Sequence, residues 1–244
     1  RSSAASDVYK RQAMELLFIL AAVLLIEMTA EHEQKLLDYR NCYIYSLPQE
    51  VRYHFPASLF GAVCKRLFDI IVSLAVLLTV FPLIFLIAAP LIKLTSSGPI
   101  FFTQKRLGLY AELFDCYKFR TMYTNPGAEP VRKNDSRVTP VGRFLRKTHL
   151  DEFPQFFNVL IGDMSIVGPR PFPAEVYREF SSYYKGFLRL VVRPGITGLA
   201  QLNVPRNTNP GQVIKNDLYY IRRLSLYRDF NIICRTLLLR DHSF

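Results

Sequence analysis

The dominant feature of the hydropathy pattern is residues 70–92, 23 consecutive residues without a charge, bracketed by Asp69 and Lys93. As one helix at ~1.5 Å per residue the run covers roughly 35 Å, enough for a bilayer core. A buried helix of a water-soluble fold is the competing reading, and so long an uncharged run is unusual there. Pro82 stands in its middle, removes one backbone donor and crowds the preceding turn. Lys65 and Arg66 precede the run, and Lys93, Lys105, Arg106, Lys118 and Arg120 follow it. The positive-inside bias draws both flanks to the cytoplasm, which one crossing cannot satisfy. The pattern therefore predicts a re-entrant helix-break-helix over residues 65–94 with both ends cytoplasmic. A Pro-kinked span is the alternative.

A second apolar run, Leu16–Ile26, has eleven residues, short for a span and similar to a signal-type core or a partial helix. Residues 1–13 precede the first Met, Met14, and read as a cloning or assembly artefact. Residues 14–64 form a hydrophobic and then polar connecting segment. Residues 95–244 are expected to form a separate cytosolic domain.

Within that domain, Ile100–Thr103 and Leu113–Tyr117 are strand-like and predict a β-hairpin whose loop contains Gly108. Residues 123–137 and 203–211 are rich in turn formers and read as surface loops. Over 150–162, Phe153, Phe156, Phe157, Leu160 and Ile161 recur at helical spacing as one apolar stripe. Asp151 is placed to cap that helix and Gly162 to end it. An acidic pair at a helix start is also favoured by capping and the macrodipole alone, with no chemistry needed. Residues 217–235 read as a further helix, with Arg222, Arg223 and Arg228 among aromatics, as on a helix lying along a membrane surface. A core-facing helix with a basic solvated side fits equally. The fold class is α+β, mostly helical, with interfacial amphipathic helices and a small domain containing a short β-hairpin.

Composition sharpens the partner class. The chain holds 31 Lys and Arg against 20 Asp and Glu, net +11. Residues 1–64 are close to neutral, so the basic surface lies after them. Anionic headgroups, phosphorylated metabolites and nucleic acid are the polyanions that could meet it. Cys42, Cys64, Cys116 and Cys234 are widely spaced, which excludes CxxC and zinc-ribbon sites and suits a reducing cytosol.

Phosphate-loop, GxGxxG, HExxH and DxD patterns are absent, so P-loop ATPases, Rossmann enzymes, zincins and DxD glycosyltransferases lose their marks. His149, two residues before Asp151, reads as a structural polar residue. Basic residues instead cluster with Gly and Pro: Lys118-Phe-Arg120-Thr-Met, Gly168-Pro-Arg170-Pro and Arg193-Pro-Gly-Ile-Thr-Gly198. Arg suits bidentate phosphate binding, and rigid Pro and Gly backbone holds it in place.

Seven runs follow one another in order: Lys65-Arg-Leu-Phe-Asp69, Gly98-Pro-Ile-Phe-Phe-Thr-Gln104, Lys118-Phe-Arg-Thr-Met122, Leu150-Asp-Glu-Phe-Pro-Gln155, Asn158-Val-Leu-Ile-Gly-Asp-Met-Ser165, Val167-Gly-Pro-Arg-Pro171 and Arg193-Pro-Gly-Ile-Thr-Gly198. Together they resemble the bacterial sugar transferase family, the monotopic phosphoglycosyl transferases, over about residues 64–236. The resemblance implies transfer of sugar-1-phosphate from a UDP-sugar to undecaprenyl phosphate, with UMP released, Mg²⁺ required and a covalent enzyme intermediate. It also implies a bacterial inner-membrane enzyme with its catalytic domain on the cytoplasmic face, at the start of surface polysaccharide or glycoconjugate synthesis. A homodimer is compatible with it, and no nucleic acid is expected.

By motif position the resemblance makes Asp151 the nucleophile and a metal ligand. Glu152 becomes its partner, as a base for the acceptor or an aid to the metal. Lys118, Arg120, Arg146 and Arg170 fall at basic phosphate- or substrate-binding positions, with Arg193, Asp217 and Tyr220 as further candidates. A carboxylate can form an acyl phosphate and split one displacement into two. The expectation is that a helix N-terminus and nearby Arg keep Asp151 ionised. Two positions depart from the pattern: Phe81 stands where Ser is common before the helix-breaking Pro, and Leu199 where an aromatic is frequent. Direct transfer through a ternary complex, a basic membrane-peripheral binding module and a non-catalytic assembly subunit are the competing readings.

Overall fold

The structure is a computed structural model describing residues 23, 25–31, 33–34, 59–124, 135–173, 186–205 and 209–238. The chain divides into two compact units, Arg1–Leu67 and Phe68–Phe244. In the first, the described residues between 23 and 34 are helical. Residues 1–13 lie outside the described residues, as do 125–134 and 206–208 of the two expected loops.

The long helix α1, Leu59–Thr95, carries the uncharged run and contains both Pro82 and Pro90. It begins before the expected start at residue 65. The expected break at Pro82 is not present: the helix continues through it. Proline forfeits one backbone hydrogen bond, but the bonds on either side persist, so the residue bends a helix more readily than it ends one. The most apolar stretch of α1 has mean hydropathy 3.0 and is only 17 % buried, unlike the mostly buried core helix of a soluble protein.

Two short sheets follow. β1 (Phe101–Leu107) and β2 (Leu113–Phe119) pair antiparallel, with Phe101 opposite Phe119 and Leu107 opposite Leu113. This is the predicted hairpin, with β1 three and β2 two residues longer than expected. β3 (Ser165–Val167) and β4 (Gly195–Thr197) pair in parallel. That second pair joins the GPRP and RPGITG motifs, distant in sequence: Gly168 N donates to Thr197 O at 2.9 Å and Gly195 N to Pro169 O at 2.9 Å. A Cβ on Gly195 would stand 2.1 Å from Gly168 N, so this approach requires glycine.

The remaining helices are α2 (Pro140–Lys147), α3 (Gln155–Ile161), α4 (Leu199–Asn203), α5 (Pro210–Ile221) and α6 (Leu226–Leu238). The helix expected over 217–235 is thus two helices, parted by the turn at Arg222 and Arg223. Tyr220, at the end of α5, is the buried junction: its one hydroxyl proton is shared between Asp229 Oδ1 of α6 at 2.7 Å and Val167 O at 3.0 Å.

The core sits between one face of α1 and the hairpin. Leu77, Phe81, Ala88 and Ile92 bury against Phe119 and Leu145. Phe81 is its hub, stacked 5.9 Å from Phe119 and edge-on to Phe157 at 5.2 Å. Each such pair adds about 0.5–1.5 kcal/mol beyond area burial. The aromatic at position 81 therefore has a packing role that a serine hydroxyl could not fill.

The helix expected over 150–162 also divides. Residues Leu150–Glu152 form a 3₁₀ turn, and α3 starts only after Pro154. Phe153, Phe156 and Leu160 pack on the core, whereas Phe157 is 40 % and Ile161 65 % exposed. The stripe divides within α3 itself: Phe156 and Leu160 share the core side with Phe153, while Phe157 and Ile161 lie at its edge.

Candidate active site

Local devices in three places, on α2, in the turn after it and on α3, bring the acidic pair to the hairpin. Thr139 caps α2, accepting from Gly142 N at 2.9 Å, with Pro140 in the first turn. Gly142 lets α2 approach the end of β2, since a Cβ there would meet Thr121 O at 2.0 Å. After α2, His149 adopts left-handed backbone, φ 57°, and turns the chain into the 3₁₀ turn. A non-glycine residue in that region stores strain of order 1 kcal/mol, of the kind found at functional sites.

The third of these is Asn158 of α3, which is fully buried. Its Oδ1 accepts from Tyr117 N at 3.0 Å, and its Nδ2 donates to Asp115 O at 2.7 Å and Asp163 Oδ2 at 3.1 Å. The side-chain amide thereby acts as the missing neighbour strand for β2. Side chains alternate across β2, so Phe119 enters the α1 core while Lys118 points to the acidic pair.

Glu152 is gripped by two cations. Lys118 Nζ donates to its Oε1 at 2.6 Å, and Arg170 NH2 donates to the same oxygen at 2.7 Å. Arg170 NH1 reaches Oε2 at 3.4 Å. Burial alone would raise the Glu152 carboxyl, but the charges and hydrogen bonds of Arg170 and Lys118 outweigh it and hold it well below the ordinary range. Arg170 in turn is raised by the charge of Glu152. A carboxylate held this way is a poor proton acceptor.

Asp151 is the opposite case. It is buried, 8 % exposed, and among the described residues no side chain hydrogen-bonds its carboxylate. Burial first, and then the charge of Glu152, raise its carboxyl to about 6, against Lys118, Arg146 and Arg170, which pull it down. The expectation that a helix N-terminus keeps Asp151 ionised does not hold, because it lies in the 3₁₀ turn and caps no helix. Near neutral pH it is still mostly ionised. The result, among the described residues, is a carboxylate with no side-chain hydrogen bond beside a second one already neutralised.

Of the expected basic residues, Lys118 and Arg170 meet Glu152 directly, and Arg146 acts on Asp151 by charge while its Nε donates to Thr121 Oγ1 at 2.8 Å. The rest are turned elsewhere. Arg120 is buried and donates to the carbonyls of Ser96, at 2.8 Å, and Ser97, closing the chain just after α1. Arg193 Nε donates to Gly162 O at 2.9 Å, at the end of α3. Asp217 is buried against Arg189, with NH2 2.8 Å from Oδ2, and Tyr220 is in the core. Burial raises the Asp217 carboxyl to about 6 despite Arg189.

Sequence reasoning did not single out Asn158, Arg189 or Cys116. The signal for the first two was a lone polar residue inside an apolar run, FFNVLI and FLRLVV. Cys116 is buried one residue pair from Lys118 on the same face of β2, and burial raises its thiol, opposed by Arg106, Lys118 and Arg170. Cys64, Cys116 and Cys234 form no disulfide.

The family pattern described as bacterial sugar transferase matches residues 60–240. The chain belongs to the bacterial sugar transferase family. The UDP-glucose:undecaprenyl-phosphate glucose-1-phosphate transferase of Klebsiella pneumoniae is 42 % identical over 210 residues, covering 82 % of this chain and 45 % of that protein. The Escherichia coli (strain K12) protein of the same name is 40 % identical over 193 residues, 75 % of this chain and 41 % of that protein. The exopolysaccharide production protein PSS of Rhizobium leguminosarum bv. phaseoli is 41 % identical over 189 residues, 71 % of this chain and 93 % of that protein. The chain thus matches less than half the length of the two glucose-1-phosphate transferases and nearly all of PSS. Every residue of the site built above falls inside the matched family region.

Proposed function

We propose that this sugar transferase moves a sugar-1-phosphate from a UDP-sugar to undecaprenyl phosphate, with Asp151 as the covalent nucleophile. The observation that carries the reading is the unequal acidic pair: Asp151 is buried and, among the described residues, accepts no side-chain hydrogen bond, while Glu152 is locked between Lys118 and Arg170. Two named relatives are transferases of this donor and acceptor type.

In the first step an Asp151 carboxylate oxygen bonds to the sugar-bearing phosphorus, and the bond from that phosphorus to the bridging oxygen breaks. UMP leaves with the electron pair. In the second step an oxygen of undecaprenyl phosphate bonds to the same phosphorus and the acyl-phosphate bond breaks, returning the Asp151 carboxylate. No proton transfer is required of Glu152. Its role in this reading is electrostatic: it orients Lys118 and Arg170 toward the phosphates while cancelling part of their charge.

Magnesium fits this donor set. Among the described residues no cluster of three or more metal-ligating side chains exists, and Asp151 is the carboxylate with lone pairs to spare. An ion that keeps most of its waters and binds one carboxylate plus substrate phosphates matches that count. When bound it would neutralise the diphosphate charge, with Asp151 as its protein ligand.

The anchoring reading is one-faced. The domain meets α1 along the whole uncharged run: Asp69 Oδ1 accepts from Ile166 N at 3.1 Å, Phe81 stacks on Phe119, and Arg120 holds Ser96 and Ser97. Ile71, Leu78, Leu86, Ile87 and Leu94 on α1 are exposed. A helix tied to one domain at both ends and in the middle supports insertion from one side, with both flanks on the cytoplasmic face of the inner membrane. Cysteine labelling of both flanks in intact cells tests this, and external labelling of either one sinks it.

The test of the reaction is UMP release. Solubilised protein is incubated with undecaprenyl phosphate, Mg²⁺ and a panel of UDP-sugars, beside Asp151→Asn. UMP from a particular sugar, lost in the variant, is the expected result. Equal release by the folded variant overturns the assignment of Asp151.

A further inference from the structure

The Gly168-to-Pro173 segment that carries Arg170 has prolines at 169, 171 and 173, and so lacks three of its backbone donors. It is held by its carbonyls instead, four in succession, the first being Pro169 O, which accepts from Gly195 N at 2.9 Å. Arg189 NH2 donates to Arg170 O at 2.9 Å, Arg106 NH1 to Pro171 O at 2.5 Å, and Leu107 N to Phe172 O at 3.0 Å. Arg189 also lies over the Phe172 ring, 3.6 Å from its centroid. The same guanidinium NH2 stands 2.8 Å from Asp217 Oδ2, with 3 % and 1 % of the two side chains exposed.

A buried ion pair is weak evidence of stabilisation, because desolvation of both charges offsets their attraction. Its use is directional. Asp217 sits on α5 and fixes the one cation that grips the backbone of Arg170, whose own guanidinium grips Glu152. We propose that the Asp217–Arg189 pair is a positioning device that keeps Arg170 aimed at the phosphate cradle. It gives Asp217 a role through Arg189 and not on the substrate. The assignment of a catalytic benefit rests on the function proposed above; the mechanical coupling does not.

Two measurements separate those parts. The first is independent of turnover. In protein labelled with ¹⁵N-arginine, the clamped Arg170 guanidinium gives a slowly exchanging signal, assigned by its loss in Arg170→Lys. The signal is expected to disappear in Asp217→Asn and Arg189→Met and to return in Asp217→Glu. Its persistence in the two disrupting variants, with thermal unfolding showing that they are folded, overturns the proposal. Should Arg189→Met fail to fold, Arg189→Lys, which keeps the charge and loses the planar fork, is read in the same way.

The second is a double-mutant cycle on kcat for UMP release. Asp217→Asn is expected to lower kcat by about 10- to 100-fold in the wild-type background. The same change is expected to cost less than about twofold when Arg170 is already alanine, since residues acting through one contact are not additive. Full additivity overturns the proposal, since a purely structural loss would act equally in both backgrounds. A wild-type chain that releases no UMP overturns the proposed reaction, and the guanidinium signal still decides the positioning.

Discussion

Arg170 NH2 stands 2.7 Å from Glu152 Oε1, the same oxygen that Lys118 reaches at 2.6 Å. One carboxylate oxygen therefore collects both cations and leaves the neighbouring Asp151 without an ion-pair partner. Two adjacent acids of nearly equal intrinsic strength are driven apart by this arrangement, Glu152 downward and Asp151 upward. Such separation is how one site obtains a fixed charge and a reactive group from the same residue type.

A covalent intermediate on Asp151 is the first expected outcome. With donor and no acceptor lipid, rapid quenching and peptide mass spectrometry should find sugar phosphate on the peptide containing Asp151. Transfer through a ternary complex would leave that peptide unmodified while product still forms with acceptor present.

The pH dependence has a definite sign. Attack needs the ionised Asp151, whose carboxyl burial and Glu152 raise to about 6. kcat/KM for UMP release should fall about tenfold per unit below that pH and level off above it. Stability runs the other way for this group. The folded state binds the proton more tightly than the unfolded chain, so Asp151 adds stability as pH falls from about 6 toward its ordinary 3.8. Glu152 has the reverse sign: its stabilisation is present above its ordinary 4.5 and is lost as pH falls through its lowered value. A rate profile flat from pH 5 to 8 contradicts the role given to Asp151.

Removing either cation of the cradle should act twice. Lys118→Ala or Arg170→Ala is expected to lower kcat on the order of 10²- to 10³-fold, the usual loss for one charge-stabilising donor. Both cations also pull Asp151 down, so the acid limb of the rate profile should move to higher pH in each variant. Arg170→Lys, which keeps the charge without the two-pronged fork, should fall between.

Arg120 and Arg170 should separate cleanly despite their similar motif settings. Arg120→Ala removes donors from the Ser96 and Ser97 carbonyls, at a cost of about 1–3 kcal/mol. Thermal unfolding should show a lowered Tm while the folded fraction keeps its KM for the donor. A changed KM with unchanged Tm would return Arg120 to the substrate site.

Chelation should stop turnover without loosening the fold. In the proposed reaction Mg²⁺ is held by Asp151 and the substrate phosphates, so EDTA should abolish UMP release, leave the Tm of the substrate-free protein unchanged, and be reversed by added Mg²⁺. A Tm that drops with EDTA would indicate a structural metal instead.

The sequence by itself determined the elements whose signal is local. A 23-residue uncharged run announces an apolar helix, two strand-like runs flanking Gly108 announce the hairpin, and the ordered motifs around Asp151 and Arg170 mark the family. Local signals could not decide register and direction. The hydropathy pattern predicted a break at Pro82, yet α1 continues through it, with Phe81 packed on Phe119 and Phe157. Where the helix after Leu150 begins depends on the left-handed His149 and on Pro154. Four basic or acidic motif residues look alike in the chain, yet Arg120 and Arg193 face backbone carbonyls, Asp217 faces Arg189, and Arg170 faces Glu152. Charge is written in the sequence, but its partner is chosen by the fold. The partner alone decides whether a buried cation holds the backbone or waits for a phosphate, because attraction and desolvation nearly cancel until geometry selects between them.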